Sequence, residues 1–162
     1  MMNLCCKVLE ALEGRKTLVT AESCTGGGIG AAITAVPGSS SVYKGGVIAY
    51  VNSVKASVLG VDSGLLKRCG AVSAPVAEAM AVGVRNLLKA DVAVSVTGLA
   101  GPGGDAYGNE IGTVYIGYAD CSHAVTREFH FPGDRENVRN AAIRAALMLV
   151  LEMNGEKYHA ET

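Results

Sequence analysis

A serine stands where the chain is expected to turn from a strand through glycines into a helix, in Thr20-Ala21-Glu22-Ser23-Cys24-Thr25-Gly26-Gly27-Gly28. The apolar run 17–21 leads into this turn, and the alanine-rich run 29–35 leads out of it. A turn of this kind leaves backbone N–H groups free and aims a helix N-terminus at whatever sits there. Ser23 beside such donors is a candidate nucleophile next to an anion or oxyanion site. A second glycine-rich turn, Thr97-Gly98-Leu99-Ala100-Gly101-Pro102-Gly103-Gly104, follows the apolar run 92–96. Two such turns at the C-terminal ends of two strands predict one shared crevice.

A serine nucleophile needs a base. The three histidines, His123, His130 and His159, all fall in the last quarter of the chain. His123 is expected in a turn and His159 in a tail, so a Ser-His-Asp triad would have to draw on His130. Tyr50 and Lys55 are better placed, in Tyr50-Val51-Asn52-Ser53-Val54-Lys55 just after the second expected strand. A lysine whose pKa burial has lowered can accept a serine proton, and a tyrosine can relay it. The alternative places Tyr50 on an amphipathic rim and Lys55 on a solvated helix face. Cys24 is the competing nucleophile, although free cysteine is commonly a small buried apolar residue. Gly26-x-Gly28-x-x-Ala31 fits a loose dinucleotide fingerprint, but the acidic residue required after the second strand is absent. No Gly-x-x-x-x-Gly-Lys-Ser/Thr motif occurs, which excludes a P-loop ATPase.

The elements that must position these groups follow from periodicity and turn chemistry. Leu4, Val8 and Leu12 share one helical face, with Gly14 as the expected cap. Residues 17–21 form the first expected strand, 25–35 a helix, and 42–50 a second strand with a bulge at Gly45-Gly46. Short helices are expected over 52–59 and 65–69, and a longer one opens at Ser73 and Pro75. Residues 92–97 read as a strand covered on both faces. Strands 111–119 and 124–131 read as an antiparallel hairpin, and Asp134 caps a last helix striped by Val138, Ala142, Ala145 and Leu149. The expected fold is α/β, a three-layer α/β/α sandwich whose mixed, mostly parallel sheet ends in that hairpin. One domain should fill 1–162, with 154–162 a frayed tail.

Composition narrows the function classes. Lys+Arg 14 against Asp+Glu 15 leaves a formal charge of −1 with no block of like charge, so no nucleic-acid face is expected. No apolar run approaches the roughly 18 residues a membrane span needs, and residues 1–15 lack a signal-peptide layout, so the expected location is cytoplasmic. The five scattered cysteines contain no Cys-x-x-Cys pair, so neither a disulfide framework, a zinc site nor any other metal centre is expected.

The blocks Thr20-Ala21-Glu22-Ser23-Cys24-Thr25-Gly26-Gly27, Gly45-Gly46-Val47-Ile48-Ala49-Tyr50-x-Asn52-x-x-Lys55 and Gly70-Ala71-Val72-Ser73 resemble the CinA C-terminal family, the nicotinamide mononucleotide deamidases. Val96-Thr97-Gly98-Leu99-Ala100-Gly101-Pro102-Gly103-Gly104, Gly112-Thr113-Val114 and Phe131-Pro132-Gly133-Asp134-Arg135 extend the resemblance over about 4–153. It implies hydrolysis of the carboxamide of nicotinamide mononucleotide to nicotinate mononucleotide and ammonia, in pyridine-nucleotide salvage, with no cofactor. By the matched motifs Ser23 is the nucleophile and Tyr50 and Lys55 its acid–base partners. Glu22, Thr25, Gly26, Gly27, Asn52, Thr97, Gly98, Ala100, Gly101 and Gly103 would contact the substrate. The resemblance further implies a stand-alone form of the deamidase. The chain's small size, apolar character and low charge of 18%, together with the resemblance, predict a homo-oligomer built from dimers, and the length of the loop 98–110 predicts that the site lies near an interface that supports it. The opposing reading is a non-catalytic nucleotide-binding or oligomerisation module, which needs the glycines but not the Ser/Tyr/Lys trio.

Overall fold

In the computed structural model, which describes residues 1–156, five strands form one mixed sheet with helices on both faces. The strands are β1 (Leu18–Glu22), β2 (Tyr43–Ile48), β3 (Val92–Gly98), β4 (Thr113–Ala119) and β5 (Ala124–His130), in the order β2-β1-β3-β4-β5. The first three are parallel; β4 and β5 run antiparallel as a hairpin. The α/β/α architecture read from the sequence is the one observed. Every residue of β1 is buried, as is nearly all of β3, which explains their unbroken apolar character. The edge strands β2 and β5 are half exposed and carry the polar residues.

One face of the sheet is covered by α1 (Met2–Leu12), α2 (Gly28–Thr34) and α6 (Arg135–Met153). Their apolar stripes, Leu4, Val8 and Leu12, Ile29 and Ile33, and Ala142, Ala146 and Leu149, close over Leu18, Val94 and Ile116 of the sheet. The other face holds α3 (Asn52–Ser57), α4 (Ser63–Cys69) and α5 (Ala74–Leu88), whose Val76, Met80 and Val84 pack on Val19, Ala21 and Ala93. Pro75 sits in the first turn of α5, and Asp134 caps α6 by accepting from Asn137 N–H at 2.9 Å. Among the described residues no helix is long and apolar enough to cross a membrane.

The departures from expectation are local and have physical causes. Helix α2 begins at Gly28 rather than residue 25, because Gly26 and Gly27 are left-handed, at φ +60° and +93°. The bulge in β2 falls at Lys44, which is skipped between the pairs Leu18/Tyr43 and Val19/Gly45. Ile111 and Gly112 belong to the loop before β4, where Gly112 takes φ +93° and donates to Leu99 O at 2.7 Å. Gly14 lies just past α1 at φ +69°, one residue beyond the cap Glu13. Asn154, the start of the expected tail, is tied to Val150 O and to the Lys16 ammonium at 2.8 and 2.7 Å. The rest of that tail beyond 156, and with it His159, lies outside the described residues.

Candidate active site

Strand β1 lies between β2 and β3, yet the chain leaves it for β2 through α2 on one face and returns to β3 through α3, α4 and α5 on the other. The C-terminal end of β1 is therefore the point where connections diverge, the position at which open α/β sheets bind ligands. Ser23 is the first residue past that end, and its N–H donates to Val96 O of β3 at 2.9 Å, adding one rung to the parallel ladder. Lys55 projects from α3 into the same place and is 1% exposed. Its Nζ donates to Ser23 Oγ at 3.0 Å, Ala49 O at 2.8 Å and Tyr50 O at 3.3 Å. All of these acceptors are neutral, and burial lowers the Lys55 ammonium from 10.5 to about 8. A buried amine of lowered basicity hydrogen-bonded to a serine hydroxyl has the geometry of a base set against a nucleophile.

Cys24 is adjacent in sequence but differently placed. It packs into the apolar cluster on the α6 side, and burial pushes its thiol up to about 11. At neutral pH it is a protonated thiol, and the lysine is bonded to Ser23 instead.

The glycine turn is more fully spoken for than its sequence suggests. The Glu22 carboxylate, 1% exposed, accepts from Gly27 N–H and Ile29 N–H at 3.0 Å and Gly30 N–H at 2.9 Å. Gly26 N–H is returned to Ser23 O and Gly28 N–H to Thr25 O. Expected as a substrate contact, Glu22 is turned inward to cap α2 and brace the turn that carries Ser23. The amides of Cys24 and Thr25 have no acceptor among the described residues, and the fully buried Thr25 hydroxyl is also without a partner. These donors next to Ser23 are the ones left for a ligand.

Tyr50 contributes its backbone carbonyl to the Lys55 cradle, while its side chain is 56% exposed and its hydroxyl accepts from Arg135 Nη2 at 2.8 Å. Its phenol is thus held by an arginine rather than by Lys55 or Ser23. Thr97 donates to Ala71 O at 2.8 Å, and Asn52 is exposed at the first position of α3. Gly98 ends β3 against Val114, Ala100 is buried, and Gly101 O accepts from Arg135 Nη1 at 2.7 Å. Gly103 faces open space. His130 is bound to Glu128 and Thr113 and His123 pairs with Asp120, so among the described residues no histidine reaches Ser23.

The family model of the CinA C-terminal domain matches residues 3–154. The chain belongs to the CinA C-terminal domain family. A CinA-like protein of Cyanothece sp. is 57% identical over 136 residues, 82% of this chain and 32% of that protein. One of Thermosynechococcus vestitus is 52% identical over 124 residues, 76% of this chain and 30% of that protein. The chain thus spans about a third of the curated relatives it matches. Among solved structures, a competence-damaged protein (CinA) superfamily protein from Klebsiella pneumoniae superposes with a TM-score of 0.91 at 34% identity, covering 94% of this chain and 96% of that one. The corresponding protein from Escherichia coli gives a TM-score of 0.88 at 35% identity, covering 94% and 89%.

Two arginines of this CinA domain escape a reading by residue type. Arg139 donates from Nε to Cys24 O and from Nη2 to Thr25 O at 3.1 and 3.0 Å, holding the serine turn from the α6 side. Arg135, one helical turn earlier, bridges Tyr50 and Gly101. The available signal was that Arg135 itself closes a matched block, with Arg139 one helical turn further along the helix capped by Asp134. The long glycine loop is anchored within the chain. Asn109 Nδ2 donates to Val72 O at 2.9 Å, Tyr107 Oη to Lys67 O at 3.0 Å, and Asp105 Oδ1 accepts from two loop amides.

Proposed function

We propose that this CinA domain hydrolyses the carboxamide of nicotinamide mononucleotide, giving nicotinate mononucleotide and ammonia. The observation that carries the reading is the buried 3.0 Å contact between Lys55 Nζ and Ser23 Oγ at the mouth of β1. In its neutral form Lys55 takes the Ser23 proton as Oγ attacks the amide carbon. The oxygen that becomes negative is met by the unengaged N–H groups of Cys24 and Thr25. Lys55 then returns the proton to the departing nitrogen, ammonia leaves, and an ester to Ser23 remains. Water, deprotonated by the same lysine, cleaves that ester and releases the acid.

The Ser/Lys pairing separates this reading from a pure nucleotide-binding module, which has no use for a buried amine of depressed basicity. The purified chain incubated with nicotinamide mononucleotide is expected to release ammonia and nicotinate mononucleotide in equal amounts. Binding of the nucleotide without turnover would favour the binding module instead. The same reading takes the protein to be cytoplasmic and a dimer-based homo-oligomer.

A further inference from the structure

We propose that Arg139 is a positioning residue of this site: it holds and polarises the peptide whose N–H, that of Thr25, meets the developing negative charge. The inference rests on the proposed reaction for what that N–H meets, and on the geometry of the serine turn for the rest. The Cys24 carbonyl and the Thr25 N–H are the two ends of one planar peptide unit, so fixing the oxygen fixes the direction of the N–H. Arg139 Nε donates to that oxygen at 3.1 Å, and no backbone N–H among the described residues reaches it.

The second arm completes the hold. Arg139 Nη2 donates at 3.0 Å to Thr25 O, the carbonyl of the next peptide unit. The N–H of that unit, on Gly26, is returned to Ser23 O at 3.0 Å. The two peptide planes on either side of Thr25 are thus gripped by one rigid planar fork. Helix α6 packs directly on the turn, which keeps the arginine short of slack. A Cβ on Gly28 would stand 2.5 Å from Ile143 Cδ1, one helical turn beyond Arg139.

Charge adds to geometry. The Arg139 guanidinium is half-buried, and among the described residues no carboxylate pairs with it. A full positive charge therefore faces the negative end of the peptide dipole and draws electron density away from the N–H at the other end. That N–H stands two residues past Ser23 and has no acceptor among the described residues. A donor prepared in this way gains most against an oxygen that carries charge. Its effect belongs to the chemical step rather than to substrate binding.

The test compares the wild-type chain with Arg139→Met and Arg139→Lys on nicotinamide mononucleotide and on its thioamide analogue, whose sulfur is a weak hydrogen-bond acceptor. Removing an oxyanion donor outright costs a factor of about 100 to 1,000, so a donor left in place but unheld should cost kcat roughly 10- to 100-fold with the amide. KM should stay within about twofold, and the loss with the thioamide should not exceed about threefold. Arg139→Lys keeps the charge and should recover part of kcat. Equal losses with both substrates, as a merely structural arginine predicts, or a change confined to KM overturns the assignment. Amide-proton NMR of the isotope-labelled chain keeps the outcome separate from that of the reaction itself. Nicotinate mononucleotide places a carboxylate where the oxyanion forms, so its binding should move the Thr25 amide proton downfield in the wild type and far less in Arg139→Met. If the wild type shows that shift but releases no ammonia, the deamidase reading fails and the positioning role stands. No such shift in the wild type, or the same shift in the variant, sinks the positioning role whether or not ammonia is released. Methionine keeps the apolar stem, and circular dichroism checks folding. Should Arg139→Met unfold, Arg139→Lys carries both comparisons with smaller effects of the same sign.

Discussion

At the scale of single residues, the site turns on one amine and one hydroxyl. Ser23→Ala should abolish ammonia release while leaving nucleotide binding in place, and Cys24→Ala should keep most of the activity, because its thiol is protonated and faces the apolar core. The reverse pattern in a steady-state assay would move the nucleophile to Cys24. Lys55→Met should lower kcat by about two or more orders of magnitude. In the wild type the rate should climb with pH through about 8 as Lys55 loses its proton, and that limb should disappear in the variant. The same group leaves a mark on stability. Its folded pKa lies below its unfolded value, so between about 8 and 10.5 the unfolded chain binds more protons and stability rises with pH. The gain over that window is about 3 kcal/mol at most. Denaturant titrations of wild type and Lys55→Met at pH 7.5 and 10 should show it in the former alone. Ser23, Lys55 and the glycine turns could be read from residue type and spacing, since nucleophile and base chemistry restrict the choice to few side chains. The partner of the Tyr50 hydroxyl could not, because Arg135, although it stands in a matched block, lies 85 residues away and no local pattern pairs the two. Tyr50→Phe is accordingly expected to impair turnover far less than Lys55→Met, with its effect appearing in KM.

At the scale of elements, the serine turn is a clamp with two jaws. Glu22 holds its glycine end through the amides of α2, and Arg139 holds its Cys24 and Thr25 carbonyls from α6. Glu22→Gln replaces one acceptor oxygen with an NH₂ that faces backbone donors. It should cost about 2 kcal/mol, seen as a fall in Tm of roughly 5 °C. An unchanged Tm would mean that the carboxylate is dispensable to the turn. The strand and helix order was readable from apolar periodicity because both inner strands are buried on both faces and each helix carries a continuous stripe. What the pattern missed were ends. Where α2 begins depends on two left-handed glycines, and where β4 begins depends on Gly112 bonding back to Leu99. Those are decisions of backbone dihedral and long-range pairing, which hydropathy does not encode. The matched motif names Glu22 as a substrate contact, and its carboxylate is turned to the amides of a helix that starts six residues later, a cap that residue type alone does not reveal.

At the scale of the whole molecule, the low charge content of 18% and exposed apolar side chains such as Ile48, Val51 and Met148 leave surface that a second copy could cover. Light scattering in dilute buffer should report a dimer or an assembly of dimers, with a total interface of at least about 1,000 Å². A fully active particle of single-chain mass would rule this out. Activity and assembly need not be tied through the long loop, since Tyr107 and Asn109 fasten it to the same chain. The antiparallel return of β4 has a practical corollary. Gly98 pairs with Val114 at the crevice end of the sheet and Ala93 with Ala119 at the other, so the turn joining β4 to β5 sits at the far pole. That turn presents Cys121, the one thiol among the described residues that is openly exposed. A fluorophore or surface linker attached there would label or immobilise the chain without approaching Ser23 and Lys55.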